Sequence, residues 1–535
     1  MRAALASDQG TEGWRAGRAL RLTDPTFGDA ELERLAARGL LDTLDEIEVS
    51  GTRLTKRGFE LCLRLPALQT LVWTDNDAAI DEAEIGSGGG VRRLDVRRAR
   101  LPNASLLARL VDLRLDAPIG DPADRVAPPS LTRLSMASLR LSSRALARWV
   151  AASAEHIESL SLHGVEGVGD DDWLVDQPLP CLTTLSWTHA RRVRLSHRWP
   201  PALRALDLSY LSTKAEPTWS LPPGIDAFGR AGADLPTRLL DAMEAHPTPW
   251  RGLRLSPPRM PRGRLAPLLE QASDDLQVVE LDSTVGEAAG ALDLPSGRWP
   301  RLEGLSVHWG QLDGAWLAEL LASPTLTSMV VKAAFGSLPV RTPAPQLAVL
   351  HLDDRWAEVG SLDELVGAGS GESALRSLHL DGVATSLPGL VALVTRSPRL
   401  VDLSLANLRV EPEGLAAPAW RSFVSAAAPA VRRLRLAPRD PDEMGAIGPA
   451  LDASPLPRAV ELAVSGPLES SARVARLLDV RHTPALEAVA LHLDPLVRDD
   501  VRGAVDWRRF ERVSLHPTVA FDPPAEHVGA GTRPR

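Results

Sequence analysis

Apolar residues recur along this chain in one short phrase. Leu400 to Leu408 (LVDLSLANL) reads apolar, two variable positions, apolar, one polar position, apolar. Residues two apart on a strand share a face, so Leu403 and Leu405 are predicted to point into a core and Ser404 to the opposite side. Marking the first member of each such pair gives a ladder through Ile47, Leu71, Leu94, Leu113, Leu134, Leu160, Leu185 and Leu206. After a poorly formed unit near Phe228 it runs on through Leu253, Val279, Leu305, Met329, Leu350, Leu378, Leu403, Leu434, Leu462, Val489 and Val513. An earlier unit starts at Leu20. The mean step is about 24.5 residues, inside the 20–29 that a strand plus a returning segment needs.

Between the phrases the period changes. Leu32, Leu35, Ala36 and Leu40 have helical spacing, with Asp29 as the predicted N-cap. Leu146, Trp149 and Val150 repeat that spacing, as do Leu265, Leu268 and Leu269, then Leu317, Leu320 and Leu321, then Leu390, Leu393 and Val394. Each predicts a short helix with an apolar stripe against the back of the strands. The step from Leu94 to Leu113 is too short for a full helix and predicts an extended or 3₁₀ return. Residues 212–236 are rich in turn formers and predict an irregular repeat, a kink, or a boundary between two repeat blocks. Residues 1–18 read as a polar lead-in, and 517–535 as a disordered tail after the last strand.

Phrase and period together resemble the leucine-rich-repeat superfamily over residues 19–516, and the helix-bearing units resemble its ribonuclease-inhibitor-like class, with bacterial-type, degenerate repeats. The resemblance implies an α/β solenoid, a horseshoe of about 20 parallel-strand turns, and a concave strand face that binds another protein. The family usually places Asn or Cys three residues after the last strand leucine, where the side chain ties adjacent turns together. Here only Asn76 holds that place; other repeats carry Pro25, Thr52, Val165, Ala190, Val383 or Leu408.

The exposed face can be written down from the register. Its first part is a charge checkerboard: Arg93, Asp95 and Arg97, then Asp112, Arg114 and Asp116, then Arg133. Lateral neighbours there have opposite sign and are predicted to pair across strands. The middle carries small and hydroxyl residues, Ser159, Ser161, Thr184, Ser186, Thr188, Ala205 and Ser209, while Trp73 and Trp187 fall on inward positions. Further on come Glu280 and Asp282, then Ser306 and His308, then Val330 and Lys332. Two successive repeats then carry His351, Asp353 and His379, Asp381 at matching positions. The predicted partner-binding patch is Glu280, Asp282, His308, His351, Asp353, His379 and Asp381. Two imidazoles beside two carboxylates are also the ligand types of a divalent-metal site, so a metal-dependent enzyme around His351, Asp353, His379 and Asp381 is the alternative. Adjacent imidazoles should repel in their protonated forms, which would make binding there pH-sensitive.

Composition narrows the rest. Aromatics are 4% of the chain, so the core is built from Leu, Val and Ala. The net charge of −9 argues against a general nucleic-acid binder, which needs a basic face. Lys occurs only at Lys56, Lys214 and Lys332; the Arg excess fits GC-rich codon usage. Cys62 and Cys181 lie too many repeats apart to bond and are predicted to be buried thiols in a reducing compartment. No apolar leader and no membrane-spanning run is evident. The glycine-rich stretch 367–371 follows a helical pattern and lacks a phosphate-loop lysine, and no nucleophile elbow or zinc-protease motif occurs. The reading is a cytoplasmic, non-catalytic scaffold with a protein partner, with no cofactor, nucleic acid or membrane.

Overall fold

The computed structural model describes residues 19–22, 26–76, 78–83, 90–101, 108–119, 128–166, 178–189, 199–210, 221–230, 237–246, 248–256, 264–282, 299–312, 314–321, 323–334, 346–353, 372–410, 417–437, 441–468, 471–493, 505 and 512–517. The expectations for 1–18, 102–107, 212–220, 231–236 and 518–535 fall outside them. The chain divides into two compact units, Met1–Gly310 and Gln311–Arg535.

The first unit is a ladder of parallel strands in chain order. They are β1 (Ala19–Leu22), β2 (Glu46–Ser50), β3 (Thr70–Thr74), β4 (Arg93–Arg97), β5 (Asp112–Asp116), β6 (Arg133–Ala137) and β7 (Ser159–His163). They continue as β8 (Thr184–Thr188), β9 (Ala205–Asp207), β10 (Ala227–Arg230), β11 (Gly252–Leu255), β12 (Val278–Asp282) and β13 (Gly304–Gln311). Each pairs with the strand one repeat on, and the pairing joins the marked residues throughout: Leu20 to Ile47, Ile47 to Leu71, and so on to Val279 and Leu305.

The second unit repeats the plan. Its main strands are β14 (Ser328–Ala334), β15 (Val349–Asp353), β16 (Ser377–Asp381), β18 (Asp402–Ala406), β20 (Arg433–Ala437), β21 (Glu461–Leu468), β22 (Ala488–Leu493) and β23 (Arg512–Pro517), with β17 (Ala384–Thr385) and β19 (Arg409–Val410) forming a small separate pair. Met329, Leu350, Leu378, Leu403, Leu434, Leu462, Val489 and Val513 are successive partners.

Alternation explains the layering. Leu403 is fully buried and Leu405 nearly so, as are Leu94 and Val96, or Leu350 and Leu352. Burying one such side chain contributes about 1.5–3 kcal/mol, so the stacked pairs supply the core. Trp73 and Trp187 lie in it, and Trp73 meets Phe59 edge-on at 5.0 Å. The returns predicted as helices are helical at Asp29–Ala37, Ser143–Ala152, Leu265–Ala272, Gly314–Leu321 and Leu387–Arg396. Ser142 and Ser386 cap two of them by accepting the backbone N–H of Ala145 and Gly389, and Pro388 fits the first turn of the latter because that N–H has no helical partner.

Three expectations need correction. The N-cap of the first helix is Gly28, whose N–H donates to Glu31; Asp29 is the first helical residue, and its carboxylate accepts from the Thr55 backbone N–H and hydroxyl instead. Cys181 is exposed, because the following Leu182 fills the core position before β8. The unit at Phe228 is a regular rung: β10 pairs in register with both β9 and β11.

The turns are tied without an asparagine ladder. The residue after many strands adopts a left-handed conformation, with φ between 44° and 60° at Gly51, Asp75, Arg98, Ala117, Ser138 and Gly164. In each case its N–H donates to the last strand carbonyl of the next repeat, for example Asp75 to Arg97 at 2.9 Å and Arg98 to Asp116 at 2.9 Å. Gly382 and Asn407 do the same in the second unit. Left-handed backbone costs a non-glycine residue about 1–2 kcal/mol, which a hydrogen bond in this place offsets in large part. Where the asparagine is present it does add a tie: buried Asn76 donates to Thr52 Oγ1 at 3.3 Å and accepts from Ala78 N at 2.9 Å.

Candidate functional site

Register decides which polar side chains meet on the strand face. His351 is the direct partner of His379 and Asp353 of Asp381, because Leu350 and Leu352 are locked against Leu378 and Leu380 beneath them. The imidazole centroids lie 3.9 Å apart with planes tilted by 59°. Lys332 stands beside Asp353 on β14, and Ser404 beside His379 on β18. Asp381 Oδ1 accepts from Asn407 Nδ2 at 2.8 Å.

His379 titrates below the ordinary histidine range. Burial is the largest cause; Asp381 and Asp353 pull the other way, and Arg435 and Lys332 push it down further. Among the described residues, no group of three or more His, Cys, Asp or Glu side chains converges as a metal site requires. The four residues of the metal alternative thus lie side by side along two rows, with Asp381 turned to Asn407, and do not surround a common point.

Glu280, Asp282 and His308 belong to the first unit. Glu280 lies 3.2 Å from Arg254 Nε, and Arg254 also reaches Asp207 at 3.6 Å. Asp282 faces His308 in register and accepts the Tyr210 hydroxyl at 2.5 Å. Of the seven expected patch residues, the structure thus joins His351, Asp353, His379 and Asp381 within one unit, and Glu280, Asp282 and His308 within the other.

The first unit also holds a group that the strand phrase does not reveal. His163 packs on His189 with centroids 4.4 Å apart, and His189 stacks on Tyr210 at 4.3 Å with planes 18° apart. His163 ends β7, whereas His189 and Tyr210 sit in left-handed turns beyond β8 and β9. Burial lowers the His189 pKa, reinforced by His163 and Arg254 and opposed by Asp207. The same unit holds a groove of about 550 Å³ on the strand face, lined among others by Ala205, Ala227, Gly252, Asp207, Arg254 and Glu280. The checkerboard on β4 to β6 is present in register, but its closest contact runs along one strand: Arg97 grips Asp95 at 2.6 and 3.0 Å, while the lateral Arg114 to Asp95 approach is 3.9 Å.

Among the described residues no helix is long and apolar enough to cross a membrane. No family model matches the chain, and no curated protein matches it. Among solved structures, an internalin (InlF) from Listeria monocytogenes aligns over 82% of this chain and 93% of its own, with 11% identity and a TM-score of 0.26. The chain's own register shows the fold. Strand after strand pairs in parallel at one phrase per repeat, with helices on the return, which is an α/β leucine-rich-repeat fold.

Proposed function

We propose that this protein is a non-catalytic scaffold that binds another protein through the exposed face of its strands. The observation that carries the reading is the in-register row on β15 and β16. Polar side chains of one chemistry, His351 with His379 and Asp353 with Asp381, stand one strand spacing (about 4.8 Å) apart on a face that the core leucines cannot use. A row of polar groups repeated strand by strand suits a large partner better than a small substrate. The net charge of −9 favours a protein over nucleic acid. Both cysteines are free, which supports a reducing, cytoplasmic setting. The helical returns support the ribonuclease-inhibitor-like subclass.

The test is affinity capture from lysate of the source organism. Wild type is run beside a variant with His351, Asp353, His379 and Asp381 all changed to Ala, after matched melting curves show both folded. A protein retained by wild type and lost by the variant is expected. Equal retention by both would move the site off this row. Retention by neither would count against a scaffold.

A further inference from the structure

The first unit carries a titratable cluster at the ends of its strands, away from the row assigned to the partner. Three rings stack in order across β7, β8 and β9. His163 ends β7, and a hydrogen bond joins its Nδ1 to Thr188 Oγ1 at 3.0 Å. The His189 ring, just past β8, has its centroid 4.4 Å from that of His163 and 4.3 Å from that of Tyr210. Tyr210 extends the line of contacts, because its hydroxyl donates to Asp282 Oδ2 on β12. Both imidazoles are exposed, so protons from solvent reach them directly.

His189 is the movable ring of the three. His163 keeps its bond to Thr188 whether it is protonated or not, since a hydroxyl can donate or accept. Tyr210 is fastened by Asp282. The His189 backbone N–H donates to the Ser209 carbonyl at 3.2 Å, but its ring makes no hydrogen bond among the described residues and is placed by the two stacks. The groups around that ring divide. Partial burial opposes an imidazolium there, as do His163 and Arg254 on β11, while Asp207 on β9 favours one. Further out, Glu280 pairs with Arg254, Asp282 is engaged by Tyr210, and His308 faces Asp282 from β13.

One proton is compatible with this stack. A cation is attracted to the face of the Tyr210 ring, and Asp207 supplies negative charge nearby. Two protons are not. Imidazolium rings 4.4 Å apart repel, and Arg254 adds a third cation.

We propose that His163, His189 and Tyr210 form an acid-operated latch: when both imidazoles are protonated, the His189 ring swings off Tyr210, and Tyr210 releases Asp282. Without the stacked ring beside it, the half-exposed Tyr210 hydroxyl exchanges its carboxylate partner for water at little cost. The tie between β9 and β12 is then lost. The strand ladder and its backbone corner bonds contain no titratable group and stay in place. The strands that loosen, β9 to β12, line the groove of about 550 Å³, so acid alters that stretch of strand face without unfolding it. The latch goes beyond the scaffold reading and does not depend on it.

The test is NMR on the full chain carrying isotopically labelled tyrosine. Tyr210 is the only tyrosine, so a single Cζ signal reports on it. The signal is followed from about pH 8 down to about pH 5, the range in which histidine changes charge. Asp282→Ala at the higher pH marks the released position. The wild-type signal should move to that position as the pH falls below about 6.5. In His163→Gln only one ring of the pair titrates, so the signal should hold its bonded position throughout. His379→Gln, in the second unit, should follow wild type. Far-ultraviolet circular dichroism should stay constant over the range. A wild-type signal that stays put, one that shifts without approaching the released position, or an equal move in His163→Gln would overturn the latch. Unfolding before the signal moves would overturn it as well.

Discussion

Tyr210 donates its phenolic hydrogen to Asp282 Oδ2 at 2.5 Å, joining the turn after β9 to the end of β12, 72 residues later in the chain. The contact fastens together non-adjacent repeats, which the strand ladder alone does not do. A hydrogen bond to an ionised acceptor contributes about 1.5–3 kcal/mol when screened from water, and less at this half-buried place. In a double-mutant cycle of Tyr210→Phe and Asp282→Ala, we expect a coupling of about 1 kcal/mol in denaturant unfolding of the first unit. Additive single effects would show that the bond does not hold the turn.

The two cysteines should separate cleanly in reactivity. Burial pushes the Cys62 thiol up to about 12, so it carries almost no thiolate at neutral pH, while Cys181 lies at the surface with its Sγ near the Glu155 carbonyl at 3.2 Å. Maleimide labelling of the native protein, followed by peptide mass mapping, should modify Cys181 alone. Denaturant should then release Cys62. Rapid native labelling at Cys62 would contradict its place on the buried face of the Lys56–Arg64 helix.

His379 makes a signed prediction about acid. Its pKa is lowered in the folded protein, chiefly by burial, so the unfolded chain binds the proton more readily. Stability intact at neutral pH is therefore lost as the pH falls through the unfolded value of about 6.5, and the loss continues down to the folded value. His379→Gln removes that contribution. The fall in melting temperature between about pH 7.5 and pH 5.5 should be smaller in the variant than in wild type. An equal or larger fall would show that His379 is not linked to folding in this way.

Gly58 sets helix propensity against packing. It lies inside the Lys56–Arg64 helix, where Ala is ordinarily favoured over Gly by about 1 kcal/mol. A Cβ there would come within 2.8 Å of Leu54 Cδ2 and would also strike the Asp29 carboxylate that holds Thr55. We expect Gly58→Ala to destabilise by about 1–3 kcal/mol in a chemical denaturation series. A gain in stability would mean that the Asp29–Thr55 tie yields easily.

Legibility followed the chemistry of each position. The register could be read because the core takes Leu, Val, Met or Ile at the marked place and the residue two further on repeats it, as in Leu350 and Leu352. It blurred at β10, where Phe228 is followed by Gly229 and then Arg230, an arginine 2% exposed in a place that leucine fills elsewhere. The meeting of His351 with His379 was readable for the same reason that the leucines were. The stack of His163, His189 and Tyr210 was not, since two of the three sit in turns beyond the strands, where no period constrains them. Ser404 reads as solvent-facing from the alternation, yet it is only 8% exposed. Asp29 stands one residue past the N-cap, and Cys181 one residue before the core position that Leu182 fills.

The corners between strand and return have a consequence for how such a chain can change. Their tie runs from one peptide group to another, as from Ser138 to His163 or Gly164 to Thr188, so neither end specifies a side chain. Asp, Arg, Ala, Ser and Gly all occupy the donor place. A repeat gained by duplication, or lost by deletion, would find its corner bond ready-made in whatever neighbour it meets. The joint tolerates mutational drift, leaving the outward rows at liberty to be rewritten for a new ligand while the leucines keep the frame.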